Sequence, residues 1–405
     1  MNRNRQNIVV VGLGYIGLPT ASILAVKGHT VLGVDVVHEV VDTINSGKIH
    51  IIEPDLDALV KSAVNSGRFS ADSVPIKADT FILAVPTPFQ QGLEKKPDLT
   101  FVEAAVDAVI PFLRHGSLII LESTSPVGTT EMVYQRIVRQ RPEILGKFLL
   151  AYCPERVMPG QIIRELIDND RIIGGINRVS AEKARELYKT FCNGTIILTD
   201  CRTAEMVKLA ENSYRDVNIA FANELSMICG SLDINVWEVI KFANRHPRVN
   251  ILRPGPGVGG HCIAVDPWFI VSSAPEKARL IRTAREVNDS KEHWVIEQVL
   301  DEVEKLDAPV IIGCLGLSFK ANVDDVRESP ALHIALELSK RMPGRVVACE
   351  PHLQYAPEGL ELVNLEELLQ RADIVLLLVD HDLFMEIDPR LLKKKVLVDT
   401  RGILN

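Results

Sequence analysis

The sequence predicts an α/β fold in which two doubly wound parallel sheets are joined by a helical core with one long helix. Three observations carry this. Short apolar runs that end in Gly, Pro or polar turns alternate with helical stretches through the first third of the chain, and again through the last third. A glycine-rich turn opens the first alternation. Between the two series, Thr203–Gly230 has no Pro and no internal Gly, and its apolar residues recur at helical spacing.

Composition bounds the function. With 405 residues the chain is too long for one ordinary core, so two or three domains are expected. A formal net charge of −8 argues against a nucleic-acid binder and requires local Arg and Lys clusters for any anionic ligand. The seven cysteines are scattered, odd in number and without C-x-x-C, which points away from a disulfide framework or a metal site. No apolar run reaches the ~20 residues of a membrane span, and no signal peptide precedes the first strand. A cytoplasmic protein is expected.

The first strand is Asn7–Val11, followed at once by Gly12-Leu13-Gly14-Tyr15-Ile16-Gly17, a helix over Leu18–Lys27, a strand over Thr30–Val34 and then Asp35. This is G-x-G-x-x-G in its full setting of strand, turn, helix, strand and acid. Gly12 allows the turn, Gly14 lets a pyrophosphate approach, and Gly17 lets helix and strand pack closely. Asp35 would take the ribose hydroxyls and repel a 2′-phosphate, which favours NAD over NADP. Strands over Thr80–Val85, Ser117–Leu121 and Phe148–Tyr152 follow, with helical stretches over Leu99–Leu113 and Thr129–Gln140. Ligands in such sheets bind beyond the carboxyl ends of the strands, where Thr87, Thr124 and Glu155 fall. Ordinary turn chemistry is the competing role for each.

On the long helix, Met206, Leu209, Ala210, Val217, Ala220, Phe221 and Leu225 form one apolar stripe. Lys208 and Asn212 are four apart and share a face, with Arg215 near it, so they could present an ammonium and an amide to one substrate; a solvated face is the plainer role. Asn244–Asn250 is a basic loop suited to an anionic ligand. Arg253–Asp266 follows, a Pro- and Gly-rich run that no helix or central strand would accept. It ends with one thiol, Cys262, and a carboxylate four residues on, Asp266. A thiol on a glycine-rich loop beside a carboxylate points to covalent catalysis, against the alternative of an inert core cysteine. Lys277–Lys305 reads as a second long helix.

The last third repeats the alternation, with strands over Ala308–Leu315, Arg345–Cys349, Ile374–Val379 and Lys395–Val398 and a helix over Pro330–Lys340 capped by Ser329. It lacks G-x-G-x-x-G, so it could bind a nucleotide without being a second dinucleotide site.

Several runs together resemble the NAD-dependent UDP-sugar 6-dehydrogenases over nearly the whole chain. They are Gly12–Pro19, Val85–Pro88, Glu122–Thr129, Lys208–Asn212, Pro254–Cys262, and Phe319-Lys320 with Asp325–Pro330. Within that family, Gly259–Trp268 and Cys153–Gly160 resemble the branch acting on UDP-N-acetyl-D-mannosamine. Pro159 stands where the UDP-glucose enzymes carry a second Glu, leaving Glu155 as the carboxylate near that strand end. The resemblance implies two Rossmann-like domains, for NAD over residues 1–199 and for UDP over 307–405, around a helical core over 200–306 that makes a homodimer through its long helix. It implies oxidation of the sugar C6 alcohol to the acid in two NAD-dependent steps, for cell-surface polysaccharide synthesis. By the same likeness Cys262 is the nucleophile, Lys208 and Asp266 handle the alcohol proton, Lys208 and Asn212 stabilise negative charge, Glu155 is the hydrolytic base and Thr124 orients the water or nicotinamide. Arg156, Val157, Arg215, His246, Arg248, Gly259, Lys320 and Arg401 map onto substrate positions and Arg327 onto a cofactor contact. His261 carries no catalytic role, because the glucose enzymes have Ser there. The alternatives are the same reaction on UDP-N-acetylglucosamine or UDP-glucose, a nucleotide-sugar epimerase, whose Tyr-x-x-x-Lys pair this chain lacks, and a non-catalytic nucleotide-sugar binder.

Overall fold

The computed structural model describes residues 5–90, 95–260, 262–306 and 309–404. His261 and Ala308, where a strand was expected to begin, lie outside the described residues, as does position 307 at the start of the expected last domain. The chain divides into two compact units, Met1–Ala210 and Glu211–Asn405.

The first unit is built on eight strands: β1 (Asn7–Val11), β2 (Thr30–Val34), β3 (Phe69–Asp72), β4 (Thr80–Leu83), β5 (Leu118–Leu121), β6 (Leu149–Tyr152), β7 (Arg171–Gly175) and β8 (Ile196–Asp200). Their order is β3-β2-β1-β4-β5-β6-β7-β8. β1, β4 and β5 are near-continuous apolar runs because both faces are covered. Ile8 and Val10 enter one core with Leu18 and Leu24, while Val9 and Val11 enter the other with Val102 and Val106. The expected parallel sheet is broken at one place, where β6 and β7 pair antiparallel. An antiparallel neighbour starts at the end where the previous strand finished, so the seven-residue helix Ile162–Asp168 is connection enough. β1 lies between β2 and β4, which makes the crevice beyond its carboxyl end the switch point of the sheet.

The second unit holds most of the long helix, Cys201–Ser231, and a second long helix, Arg279–Glu304. Its strands are β9 (Ile312–Leu315), β10 (Val346–Cys349), β11 (Glu361–Leu362), β12 (Ile374–Leu377) and β13 (Val396–Asp399), ordered β11-β10-β9-β12-β13 and all parallel. Ser329 caps the helix Pro330–Arg341 by accepting the Leu332 N–H at 3.3 Å, as its sequence predicts.

The apolar stripe expected on the long helix is only partly the buried face. Leu209 and Ala220 are buried, but Met206 and Phe221 are 41% and 54% exposed. The buried face carries Glu205, Lys208, Asn212, Ser213, Asp216, Asn223 and Ser226 instead. Partners on neighbouring elements make this tolerable. Arg285 donates to Asp216 at 2.7 Å, Asn223 donates to Asn288 at 2.9 Å, and Lys291 donates to Ser226 at 2.7 Å.

Candidate active site

The glycine turn after β1 has the form a dinucleotide requires. Gly12 sits at φ +89°, and an added Cβ would lie 2.6 Å from the Ala84 carbonyl oxygen. At Gly17 an added Cβ would lie 1.8 Å from the Gly12 carbonyl oxygen, so only glycine closes the turn onto its helix, Gly17–Val26. Gly14 is exposed and meets open space. Tyr15 and Ile16 complete the turn, half-buried, ahead of that helix. Asp35 closes the loop from the other side. Its carboxylate accepts the Leu13 N–H at 2.9 Å and the Val37 N–H at 3.0 Å. Open space over Gly14, a helix N-terminus and a fixed carboxylate fit a pyrophosphate and its ribose.

The other strand ends of this unit are tied together. Thr87 Oγ1 donates to the Thr124 carbonyl at 2.8 Å, and Ser123 Oγ donates to the Val85 carbonyl at 2.6 Å. Glu155, just past β6, accepts Lys208 Nζ at 3.1 Å on one oxygen and the Val157 N–H at 2.9 Å on the other. Lys208 is only 5% exposed, which removes the solvated-face role. Arg156 donates to the Asp170 carbonyl at 2.9 Å.

Two buried acids that sequence reasoning missed set this geometry. Glu205, one turn before Lys208, accepts the N–H of Gly128 at 2.6 Å and of Thr130 at 2.7 Å, fixing the turn after β5 to the long helix. Burial pushes its carboxyl above the usual range. Glu53 accepts the N–H of Gly160 and of Ile162, both at 2.8 Å, and so holds the loop that carries Glu155. An acid in a helix, or beside a Pro in a turn, reads as surface from sequence alone; nothing local marks either as buried.

In the second unit, Asn212 Nδ2 donates to Asp266 Oδ2 at 2.5 Å, and both residues are buried. Asn212 stands one turn beyond Lys208 on the same helix. Cys262 is exposed. Its carbonyl accepts the Asp266 N–H at 2.9 Å, so thiol and carboxylate are separated by a single turn entering the helix Asp266–Ser273. The glycines ahead of it are needed for close packing. An added Cβ at Gly259 would lie 2.3 Å from the Glu328 carbonyl oxygen, and one at Gly257 2.9 Å from Pro330. One at Gly260 would meet the Phe319 ring, and one at Gly255 would lie 2.6 Å from Arg401 Nη1. Asn223, a third missed residue, accepts the Gly255 N–H at 2.9 Å; its signal was a polar side chain inside a helix, where Asn is disfavoured.

The structure therefore gathers Gly259, Arg401 and the segment carrying Lys320 around the thiol loop. Arg401 pairs with Asp380 at 2.9 Å, and Arg327 pairs with Asp325 at 2.7 Å. Arg215, His246 and Arg248 are exposed. Among the described residues no group of three or more His, Cys, Asp or Glu side chains could hold a metal ion.

Comparison with known proteins covers the same ground. Models of the UDP-glucose/GDP-mannose dehydrogenase family match in three parts: the NAD binding domain over residues 6–192, the central domain over 202–290 and the UDP binding domain over 313–405. The chain is 55% identical over 409 residues to an NDP-N-acetyl-D-galactosaminuronic acid dehydrogenase of Ralstonia nicotianae, covering 98% of this chain and 96% of that one. It is 51% identical over 415 residues to a UDP-N-acetyl-D-mannosamine dehydrogenase of Escherichia coli, covering 98% of each. Among solved structures, a UDP-D-ManNAc dehydrogenase from Pyrococcus horikoshii superposes with a TM-score of 0.90 at 38% identity, covering 98% of this chain and 96% of that one.

Proposed function

The chain belongs to the UDP-glucose/GDP-mannose dehydrogenase family and is an NAD-dependent UDP-sugar dehydrogenase, and we propose that its substrate is UDP-N-acetyl-D-mannosamine, oxidised at C6 to the uronate. The observation that carries the mechanism is the exposed Cys262 thiol one turn before Asp266, whose partner Asn212 shares a helix with Lys208.

NAD, when bound, supplies the hydride acceptor for both oxidations. The residues of the chain do the rest. Lys208 and Asp266 take the proton of the C6 alcohol through water, and Lys208 with Asn212 stabilises the negative charge that develops on oxygen. An aldehyde has no good path to lose a second hydride until a nucleophile adds. The Cys262 thiolate therefore adds to the aldehyde carbon to form a thiohemiacetal. Loss of its hydride leaves a thioester. Glu155 removes a proton from water, Thr124 orients that water, and hydrolysis releases the acid and the thiolate. The pairing of Glu155 with Lys208 supports this role, because the ammonium keeps the carboxylate ionised and ready to accept a proton.

The turn residues Gly12, Gly14, Tyr15, Ile16 and Gly17, with Asp35, Thr87, Thr124 and Arg327, hold the cofactor. Arg156, Val157, Arg215, His246, Arg248, Gly259, Lys320 and Arg401 hold the nucleotide sugar. A homodimer forms through the long helix. In its support, Tyr214, Phe221 and Ile228 are 71%, 54% and 49% exposed, and their seven-residue spacing makes an apolar seam that a second copy would cover. Arg248, exposed in its turn, reaches across that interface. The division at 1–199, 200–306 and 307–405 is part of the same proposal, as is work in the cytoplasm on a cell-surface polysaccharide precursor. The three family matches support the division.

The Ralstonia relative favours a second substrate, the galactosamine epimer. NADH formation measured side by side with UDP-N-acetylmannosamine, UDP-N-acetylgalactosamine, UDP-N-acetylglucosamine and UDP-glucose tests both. The mannosamine sugar is expected to react fastest; silence with all four removes the dehydrogenase. Cys262→Ser is expected to lower uronate formation about 1,000-fold while the first oxidation survives. Uronate at the parent rate rules out the thioester route.

A further inference from the structure

The second sheet holds a buried cluster that this chemistry leaves unused. Glu350 directly follows β10, the place that Asp35 takes after β2 in the first sheet. Its Oε2 accepts the N–H of Leu317 at 2.7 Å and of Ser318 at 3.0 Å, with His381 Nε2 at 3.0 Å. Its Oε1 accepts the His352 N–H at 3.0 Å. His381 is completely buried. Its Nδ1 accepts the Asn322 N–H at 3.0 Å, so the ring proton sits on Nε2 and is donated to Glu350. Ser318 Oγ, 3.3 Å from the same Nε2, donates to the Lys320 carbonyl at 2.7 Å. The Asn322 side chain in turn accepts the Asp382 N–H at 3.1 Å.

These bonds converge on the turn 317–322. Leu317 and Ser318 are held at its start by Glu350, the Lys320 carbonyl is held in the middle by Ser318, and Asn322 is held at its end by His381. Burying a carboxylate and an imidazole costs free energy that only a full set of partners offsets, and here nearly every polar atom has one. A hydrophobic pair would fill the same space without that requirement. What the polar pair adds is direction, because it fixes two separate backbone N–H groups of one short segment.

We propose that Glu350 and His381 are positioning residues that hold the turn 317–322 so that the Lys320 ammonium meets the nucleotide of the substrate. The inference rests on the assignment of Lys320 to the substrate site above. The experiment is calorimetric binding of UDP, with NAD as the internal control, to the full chain. No turnover is needed, so absence of NADH formation would remove the dehydrogenase and leave this result readable.

Two isosteres separate the two bonds. His381→Asn keeps an acceptor near the Nδ1 position and removes the donor to Glu350, whereas His381→Gln keeps the donor and removes the acceptor for Asn322. Each is expected to weaken UDP about tenfold, the loss of one hydrogen bond to a charged partner or of its steering. NAD affinity stays at the parent value. In a Lys320→Ala background both substitutions lose their effect on UDP, since a group acting through Lys320 has nothing left to act on. Parent affinity for UDP in the folded variants overturns the proposal. So does an undiminished effect in the Lys320→Ala background, or a parallel loss of NAD, either of which marks a purely structural pair. If both histidine variants fail to fold, Glu350→Gln, which keeps the shape and removes the charge, carries the same comparison with the same outcomes.

Discussion

The chain contains the same strand-turn-helix-strand-acid sequence twice, and the two copies have been put to different use. The first reads Gly12-Leu13-Gly14-Tyr15-Ile16-Gly17 with Asp35, the second Gly316-Leu317-Ser318-Phe319-Lys320-Ala321 with Glu350. Their first glycines are equivalent. Gly12 has φ +89° and Gly316 φ +90°, and an added Cβ would strike the end of the neighbouring strand in each, Ala84 at 2.6 Å and Val379 at 2.4 Å. That glycine belongs to the fold. The others belong to the ligand. Gly14 opens onto empty space, while Ser318 is buried and bonded. Asp35 is half-exposed and bonded to two backbone N–H groups, while Glu350 is buried and capped by His381. Two turns of one shape thus differ in whether the space beyond them is open.

That difference can be broken outright by counting cofactors. Titration with NAD is expected to give one site per chain, and two sites would mean that the second turn is open after all. The next largest effect is at the third glycine. Gly17→Ala places a Cβ against the Gly12 carbonyl and is expected to weaken NAD about 100-fold. Ala321, already alanine at the matching place, is expected to accept glycine with UDP affinity unchanged. Parent NAD affinity in Gly17→Ala would show that the first turn has slack its geometry denies.

Asp35→Ala is expected to weaken NAD roughly tenfold or more, through loss of a charged hydrogen bond to the ribose, and to leave UDP-sugar binding alone. Equal loss of both ligands in a binding titration would count against the ribose role.

The smallest effect concerns acid. Burial pushes the Glu350 carboxyl up, but the His381 hydrogen bond and the Leu317 N–H outweigh it and hold the group below its usual value. An acid with a lowered value in the folded state contributes stability above its unfolded value, and that contribution is lost as pH falls through the folded one. Melting measured from pH 6 down to about pH 3 is therefore expected to fall less steeply in Glu350→Gln than in the parent. Identical slopes would separate Glu350 from the acid sensitivity of the second unit.

Much of this was legible from residues alone where a local rule governs. The helix Thr129–Gln140 was found at its observed bounds, and the Ser329 cap where its spacing predicts. Strands were called slightly long at the carboxyl end, as with Thr80–Val85 against Thr80–Leu83, because apolar residues continue past the last ladder bond into the site. The polar side of the long helix was misjudged because periodicity registers apolar residues and is blind to a buried Lys208 or Asn212 whose partners arrive from elsewhere.

By itself the sequence determined the two alternating α/β series, the glycine turn with its acid, and a thiol on a loop that only Pro and Gly can build. Each of these follows from sterics between residues near in the chain. Only the tertiary structure decided which polar groups meet: Glu53 with Gly160, Glu205 with Thr130, Asn223 with Gly255, His381 with Glu350. Those partners lie from 31 to 107 residues apart, and the order in which strands join a sheet, not any local preference, brings them together.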